Sequence, residues 1–92
     1  MAVSKAPNPT MLAIGNVTGT IKEKNAEHAS VTAPTKEGYK FLCWLYVISE
    51  GWIGNMYFEN PTYTTTNVWV ADTGLNIDAT GTFRAYCLYV PT

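Results

Sequence analysis

Apolar and polar residues follow each other along this chain in short runs that glycine, proline, asparagine and aspartate interrupt. The runs are rich in threonine, valine, isoleucine and aromatic residues, which is typical of β-strands. No segment has a sustained helical period. We therefore expect an all-β fold, a small antiparallel β-sandwich of about seven strands. The predicted strands are Met11–Ile21, His28–Ala33, Tyr39–Ser49, Trp52–Glu59, Thr64–Ala71, Leu75–Ile77 and Thr82–Val90.

The length of 92 residues is room for one domain. Residues 1–10 contain Pro7 and Pro9, a composition that predicts an extended N-terminal arm or linker. Residues 11–92 are predicted to form a single β-sandwich domain. Turns are expected between the strands, among them Asp72–Gly74 and Ala79–Gly81.

Two of the predicted strands, Tyr39–Ser49 and Thr82–Val90, are apolar on both faces. Strict alternation places Phe41 and Cys43 on one face of the first strand and Trp44 on the other. A strand with one buried face should instead alternate with polar residues. Charged residues are 14% of the chain against 47% hydrophobic, compared with about 25% charged in an average domain. We therefore expect a homo-oligomer, a homotrimer being the expected state, in which another copy covers the second face.

Charge and the length of the apolar runs argue against nucleic acid, membrane insertion and general secretion. The net charge is −1 and no lysine or arginine cluster occurs, whereas nucleic-acid binding needs a basic stripe. The longest apolar run, Phe41–Ile48, is far shorter than the roughly 20 residues of a membrane-spanning helix. Residues 1–10 lack the apolar core of a signal peptide. Nucleic acid, membrane and general secretion are not expected.

The residue types in this chain give little support for a catalytic site or a metal site. The single histidine, His28, is expected to be an ordinary residue at a strand end, and the carboxylates fall in turns or at strand ends. We expect no enzyme activity, no catalytic residue, no cofactor and no metal. A calcium loop at residues 72–78 is the alternative there, because oxygen-bearing side chains surround Gly74.

The two cysteines, Cys43 and Cys87, both lie inside apolar runs. Buried thiols that pack as small hydrophobic side chains are one interpretation. A disulfide between two strands is the other, and sequence spacing does not decide between them.

Aromatic residues alternate with amides in the second half of the chain. Residues 53, 55, 57 and 59 share one face of a predicted strand, and residues 65, 67, 69 and 71 share one face of the next. If these strands pair, Tyr57 and Trp69 lie side by side with two amides nearby. Such rings can stack on sugars, although rings also build cores and subunit interfaces. The candidate ligand-binding residues are Asn55, Tyr57, Tyr63, Asn67 and Trp69.

Four segments carry a resemblance to a known group of proteins: Gly38–Trp44, Gly51–Gly54, Asn60–Val70 and Thr82–Val90. In texture and order they resemble C-terminal modules of tail and other minor structural proteins from phages of Gram-positive bacteria. The resemblance implies a virion protein of the tail tip, fibre or baseplate, made in the bacterial cytoplasm and assembled with other tail proteins. It also implies a trimeric β-sandwich head that binds a host cell-wall saccharide.

Two other interpretations are open. The segment Val31–Trp44 is similar to the start of the Listeria–Bacteroides surface repeat, a β-grasp-like module of cell-surface proteins. The chain could instead be a purely structural piece, a trimerisation or virion decoration module without a ligand. Saccharide binding by the isolated domain distinguishes this structural module from a receptor-binding head.

Overall fold

The fold comes from a computed structural model in which residues 11–24, 27–50, 56–71 and 76–92 are described. The described ranges contain strands and turns, and no helix in them could span a membrane. Residues 1–10, Asn55 and the predicted turn at Asp72–Gly74 lie outside the described residues. The strands are β1 (Ala13–Lys24), β2 (His28–Thr32), β3 (Tyr39–Glu50), β4 (Met56–Phe58), β5 (Thr65–Val70) and β6 (Asn76–Pro91).

The strands form two three-stranded antiparallel sheets, which we call sheet A, with strand order β1-β6-β3, and sheet B, with order β2-β5-β4. The predicted all-β class is confirmed. The strand count is not, because Asn76 and Ile77 of one predicted strand belong to the same strand, β6, as the predicted strand Thr82–Val90. The predicted turn at Ala79–Gly81 is wrong: Gly81 lies opposite Ile21 of β1, and this pairing carries the extended chain through the glycine.

One hydrophobic core lies between the inner faces of the two sheets. Its centre is β6, where Phe83, Ala85 and Cys87 are fully buried while the residues between them are only half-buried. Sheet B contributes Val68 and Val70 from its own central strand, β5. The alternation on both central strands defines an inner and an outer face for each sheet.

Trp44 of β3 connects sheet A to sheet B. Its ring is 3% exposed and stacks on Phe58 of β4, with the ring centroids 5.4 Å apart. The indole Nε1 donates a 2.8 Å hydrogen bond to the Tyr63 carbonyl, and the Trp44 backbone N–H donates to the Pro61 carbonyl. These bonds hold the segment between β4 and β5 against sheet A and satisfy the polar end of a buried indole.

Strand β3 departs from the strict alternation that the sequence predicts. Phe41, Trp44 and Val47 lie opposite the buried residues of β6, so the inward positions are three residues apart. Two register irregularities cause this spacing, one between Phe41 and Cys43 and one between Trp44 and Tyr46. A β-bulge sets two residues against one on the partner strand. The predicted face assignment is therefore wrong for Cys43 and Trp44, which have exchanged faces.

The two cysteines are free thiols in different settings. Cys87 is fully buried in the core, in line with the interpretation of a buried thiol. Cys43 is only half-buried, because the first bulge places it opposite Leu88, a residue of the outer face. Cys43 and Cys87 thus belong to opposite faces of sheet A, a placement that does not suit a disulfide between them.

Two glycines of β1 make room for aromatic rings of β6. The ring of Tyr89 occupies the place where a Cβ on Gly15 would lie, and the Phe83 ring does the same at Gly19. Both rings are buried. A side chain at either glycine would displace a core ring, so these positions need glycine for close packing.

Candidate functional site

A row of three rings crosses the outer face of sheet B. Trp69 on the central strand β5 lies directly opposite Tyr57 of β4 on one side and His28 of β2 on the other. The His28 and Trp69 rings are 4.4 Å apart between centroids, with a tilt of 35°. We call Tyr57, Trp69 and His28 the aromatic row. The side-by-side placement of Tyr57 and Trp69 is the one that the sequence predicts.

The alternation along β5 places the row on the outside. Thr66, Val68 and Val70 are buried, and the residues between them, Asn67 and Trp69, are half-buried on the opposite face. Tyr57 is 52% exposed, and His28 is exposed as well. The row therefore presents two exposed rings, Tyr57 and His28, on either side of an indole that its neighbours partly cover.

Glu59, one residue beyond β4, fixes the polar end of this face. Its backbone N–H donates a 2.8 Å bond to the Asn67 carbonyl, which continues the strand pairing. Its carboxylate Oε1 accepts hydrogen bonds from Trp69 Nε1 at 2.7 Å and from Asn67 Nδ2 at 3.2 Å. The bond from Trp69, then the bond from Asn67 and the charge of His28, hold the pKa of Glu59 below its ordinary value. A carboxylate is thereby kept ionised next to the rings.

Beyond His28 the face continues into a shallow groove of about 300 Å³. The groove contains hydroxyl, ammonium and carboxylate groups, which can donate to and accept from a polar ligand. Its lining residues are Thr20, Ile21, Lys22, Glu27, His28 and Thr80. The aromatic row and this groove are adjacent because His28 belongs to both.

The candidate residues from the sequence are brought together only in part. Tyr57, Asn67 and Trp69 share the outer face of sheet B and are linked through Glu59. Tyr63 is exposed but lies in the turn between β4 and β5, past the ends of both strands, so the register leaves it out of the row. Asn55 lies outside the described residues.

Sequence reasoning missed His28 and Glu59 as members of this face. Glu59 shares a strand face with Tyr57, a signal that could have found it, but a carboxylate at a strand end is by default solvated. His28 joins the row through the pairing of β2 with β5, which are about 40 residues apart in sequence. Local sequence patterns carry no information on that pairing.

In the described ranges, no group of three or more His, Cys, Asp or Glu side chains could hold a metal ion. The predicted calcium alternative at residues 72–78 lies partly outside the described residues. What the described face offers is stacking area, a carboxylate and an amide, a set suited to binding.

Comparisons with known proteins add no relative. The resemblance to phage tail modules therefore stays a prediction. A scan against protein-family models and searches of curated proteins and of solved structures find no match to this chain.

Proposed function

We propose that this protein is a non-catalytic binding module that holds a saccharide on the outer face of sheet B. The observation that supports the proposal most strongly is the aromatic row with a carboxylate fixed at its side. Tyr57 is open to solvent, and Trp69 is held in place by Glu59 and His28. A ring that is already oriented loses little conformational entropy when a ligand stacks on it.

The chemistry of the face matches the two sides of a sugar ring. The C–H face of a pyranose packs on an aromatic ring, and its hydroxyls need hydrogen-bond partners at the edge of that ring. Both bonds that Glu59 accepts end on Oε1, so among the described residues Oε2 is left to accept from a ligand hydroxyl. The row spans three strands, or about 10 Å, and the groove beside His28 extends it. This length suits a short stretch of a linear saccharide.

Binding at one such face is expected to be weak. The face is shallow and buries little of a sugar, so we expect a dissociation constant of roughly millimolar to high micromolar. Several copies in one assembly raise the apparent affinity for a repetitive surface. A homotrimer on a polymer such as a cell wall would exploit this effect.

The biological setting of the proposal comes from the sequence resemblance. We infer a virion protein at the tail tip, fibre or baseplate of a phage of Gram-positive bacteria, with a host cell-wall saccharide as the ligand. In that setting the module is made in the bacterial cytoplasm and assembled with other tail proteins. No nucleic acid, membrane or cofactor takes part.

A purely structural module is the second candidate, and one observation favours it. The outer face of sheet A exposes large apolar side chains, among them Leu42, Tyr46 and Ile48. Such a face suits assembly with other protein rather than saccharide recognition. A trimerisation or decoration piece would need this face alone.

The two candidates are separated by a pull-down of the tagged chain on purified cell walls from a panel of Gram-positive bacteria. We expect the parent to bind the walls of some species, Tyr57→Ala to lose most of that binding and Tyr57→Phe to keep it. Tyr57→Phe is the matched control because it retains the ring and lacks only the hydroxyl. Equal retention of Tyr57→Ala and the parent would place the site elsewhere. A parent that binds no wall would favour the structural module.

A further inference from the structure

The outer face of sheet A is an apolar surface that the described fold leaves uncovered. Its rows follow the strand register: Ile14, Leu88 and Cys43 form one row, and Tyr86 with Tyr46 forms part of the next. Ile48 lies opposite Arg84 in the row after that. We call this surface the apolar face. Its exposed large side chains are Ile14, Leu42, Leu45, Tyr46 and Ile48.

The bulges of β3 make the face more apolar than alternation would. Each bulge opposes two consecutive residues to one outward residue of β6, Leu42 and Cys43 to Leu88, then Leu45 and Tyr46 to Tyr86. The two leucines are 47% and 41% exposed although they lie in the middle of the long apolar strand β3. A bulge that gained nothing from a partner would expose these leucines to water at a cost.

Polar groups lie in and beside the apolar rows, and several of them are engaged with each other. Arg84 Nη1 donates a 2.9 Å hydrogen bond to Asn16 Oδ1 on the neighbouring strand. Tyr46 and Tyr86 stack on each other with centroids 4.7 Å apart and a tilt of 25°. Arg84 lies in the last of these rows and Lys40, opposite Val90, lies at the other end, so the two rows around Leu88 and Tyr86 carry no charged side chain. The centre of the face is therefore apolar and uncharged.

The size of the face approaches what a stable interface needs. At about 200 Å² for a fully exposed large side chain, the five side chains at 41 to 55% exposure leave about 500 Å² open. The half-exposed Tyr86, Leu88 and Val90 add to this. Specific interfaces bury about 800 Å² on each partner, and the interfaces of homodimers are the more apolar ones.

We propose that the apolar face is the contact between copies of this chain. A second copy fits because the face is large and apolar and because its two central rows, around Leu88 and Tyr86, carry no charged side chain. The inference does not rest on saccharide binding, because it concerns the opposite side of the molecule. It does have a consequence for that function: copies joined through sheet A leave the outer face of each sheet B open to a ligand.

Light scattering coupled to gel filtration tests the proposal on the full chain at micromolar concentrations. We expect the parent to have the mass of two or three copies and Leu42→Lys to have the mass of one copy with an unchanged strand signal in circular dichroism. Ser30→Lys, which places the same charge on an exposed position of β2, is the matched control and should keep the parent mass. A monomeric parent, or a Leu42→Lys variant that keeps the parent mass, would overturn the proposal.

Alkylation of the two thiols is a second measurement, and it distinguishes loss of the contact between copies from local unfolding. Cys43 belongs to the apolar face and Cys87 to the core. In the parent we expect both thiols to be protected. In Ile48→Lys, which removes the contact at a distance from Cys43, only Cys43 should react, at least tenfold faster than in the parent. Cys87 reports that the variant is folded. Equal reactivity of Cys43 in the parent and in folded Ile48→Lys would overturn the proposal.

Discussion

The indole Nε1 of Trp69 donates a 2.7 Å hydrogen bond to the carboxylate of Glu59. The bond links the central strand of sheet B to the residue that follows its edge strand, β4, and it fixes the plane of the indole. It also stabilises the ionised form of the carboxyl group, which lowers the pKa of Glu59. The orientation of the ring and the charge beside it thus depend on each other.

This relationship predicts a pH dependence of the Trp69 signal. The pKa of Glu59 in the folded protein is lowered from 4.5. The stabilisation that the ionised carboxylate provides is therefore present above pH 4.5, and it is lost as the pH falls through the lowered pKa. We expect the indole N–H resonance of Trp69 to show a titration step that comes from Glu59 and has its midpoint below pH 4.5. In Glu59→Gln the same titration should be missing. A midpoint above 4.5 in the parent would contradict the bond.

Gly19→Ala is expected to destabilise the fold by about 1–3 kcal/mol, the usual cost of overpacking a core. A Cβ at this position would lie 2.5 Å from the ring of Phe83, which is fully buried and has no room to move. Thr20→Ala changes the next, exposed residue of β1 and should stay within about 0.5 kcal/mol of the parent. Urea unfolding measures both. Equal stability of the two variants would mean that the Phe83 ring does not lie over Gly19.

Tyr89 should make the protein sensitive to alkali. Burial, with the Cys87 thiol as a lesser cause, raises the pKa of Tyr89 to about 12, and the hydroxyl donates to the Pro34 carbonyl. A raised pKa means that the stabilisation is present below pH 10 and is lost as the pH rises from 10 to 12. Tyr89→Phe should be less stable than the parent at pH 8, by about 1 kcal/mol for the lost hydrogen bond. That difference should shrink between pH 10 and 12 in urea unfolding. A stability difference that stays constant between pH 10 and 12 would show that the pKa of Tyr89 is not raised in the folded protein.

Local patterns were enough to predict the strand class and the neighbourhood of Tyr57 and Trp69. The alternation of β5 and the short segment after β4 leave little choice of register, so the two rings meet. The bulges of β3 could not be read from the sequence, because its apolar residues suit either face. Packing against β6 and Phe58 decides that Trp44, rather than Cys43, turns inward. His28 is a further case, since only a long-range pairing brings β2 to Trp69.

Resonance mapping of the chain with a solubilised cell-wall saccharide tests the central claim, ligand binding on the outer face of sheet B. The saccharide is taken from a species whose walls retain the protein. We predict saturable shifts at Tyr57, Asn67 and Trp69, with Leu42 on sheet A as an internal reference that stays unchanged. In Tyr57→Ala the shifts should require at least several-fold more saccharide. Shifts confined to other surfaces, with the aromatic row unaffected at saturation, would contradict the account.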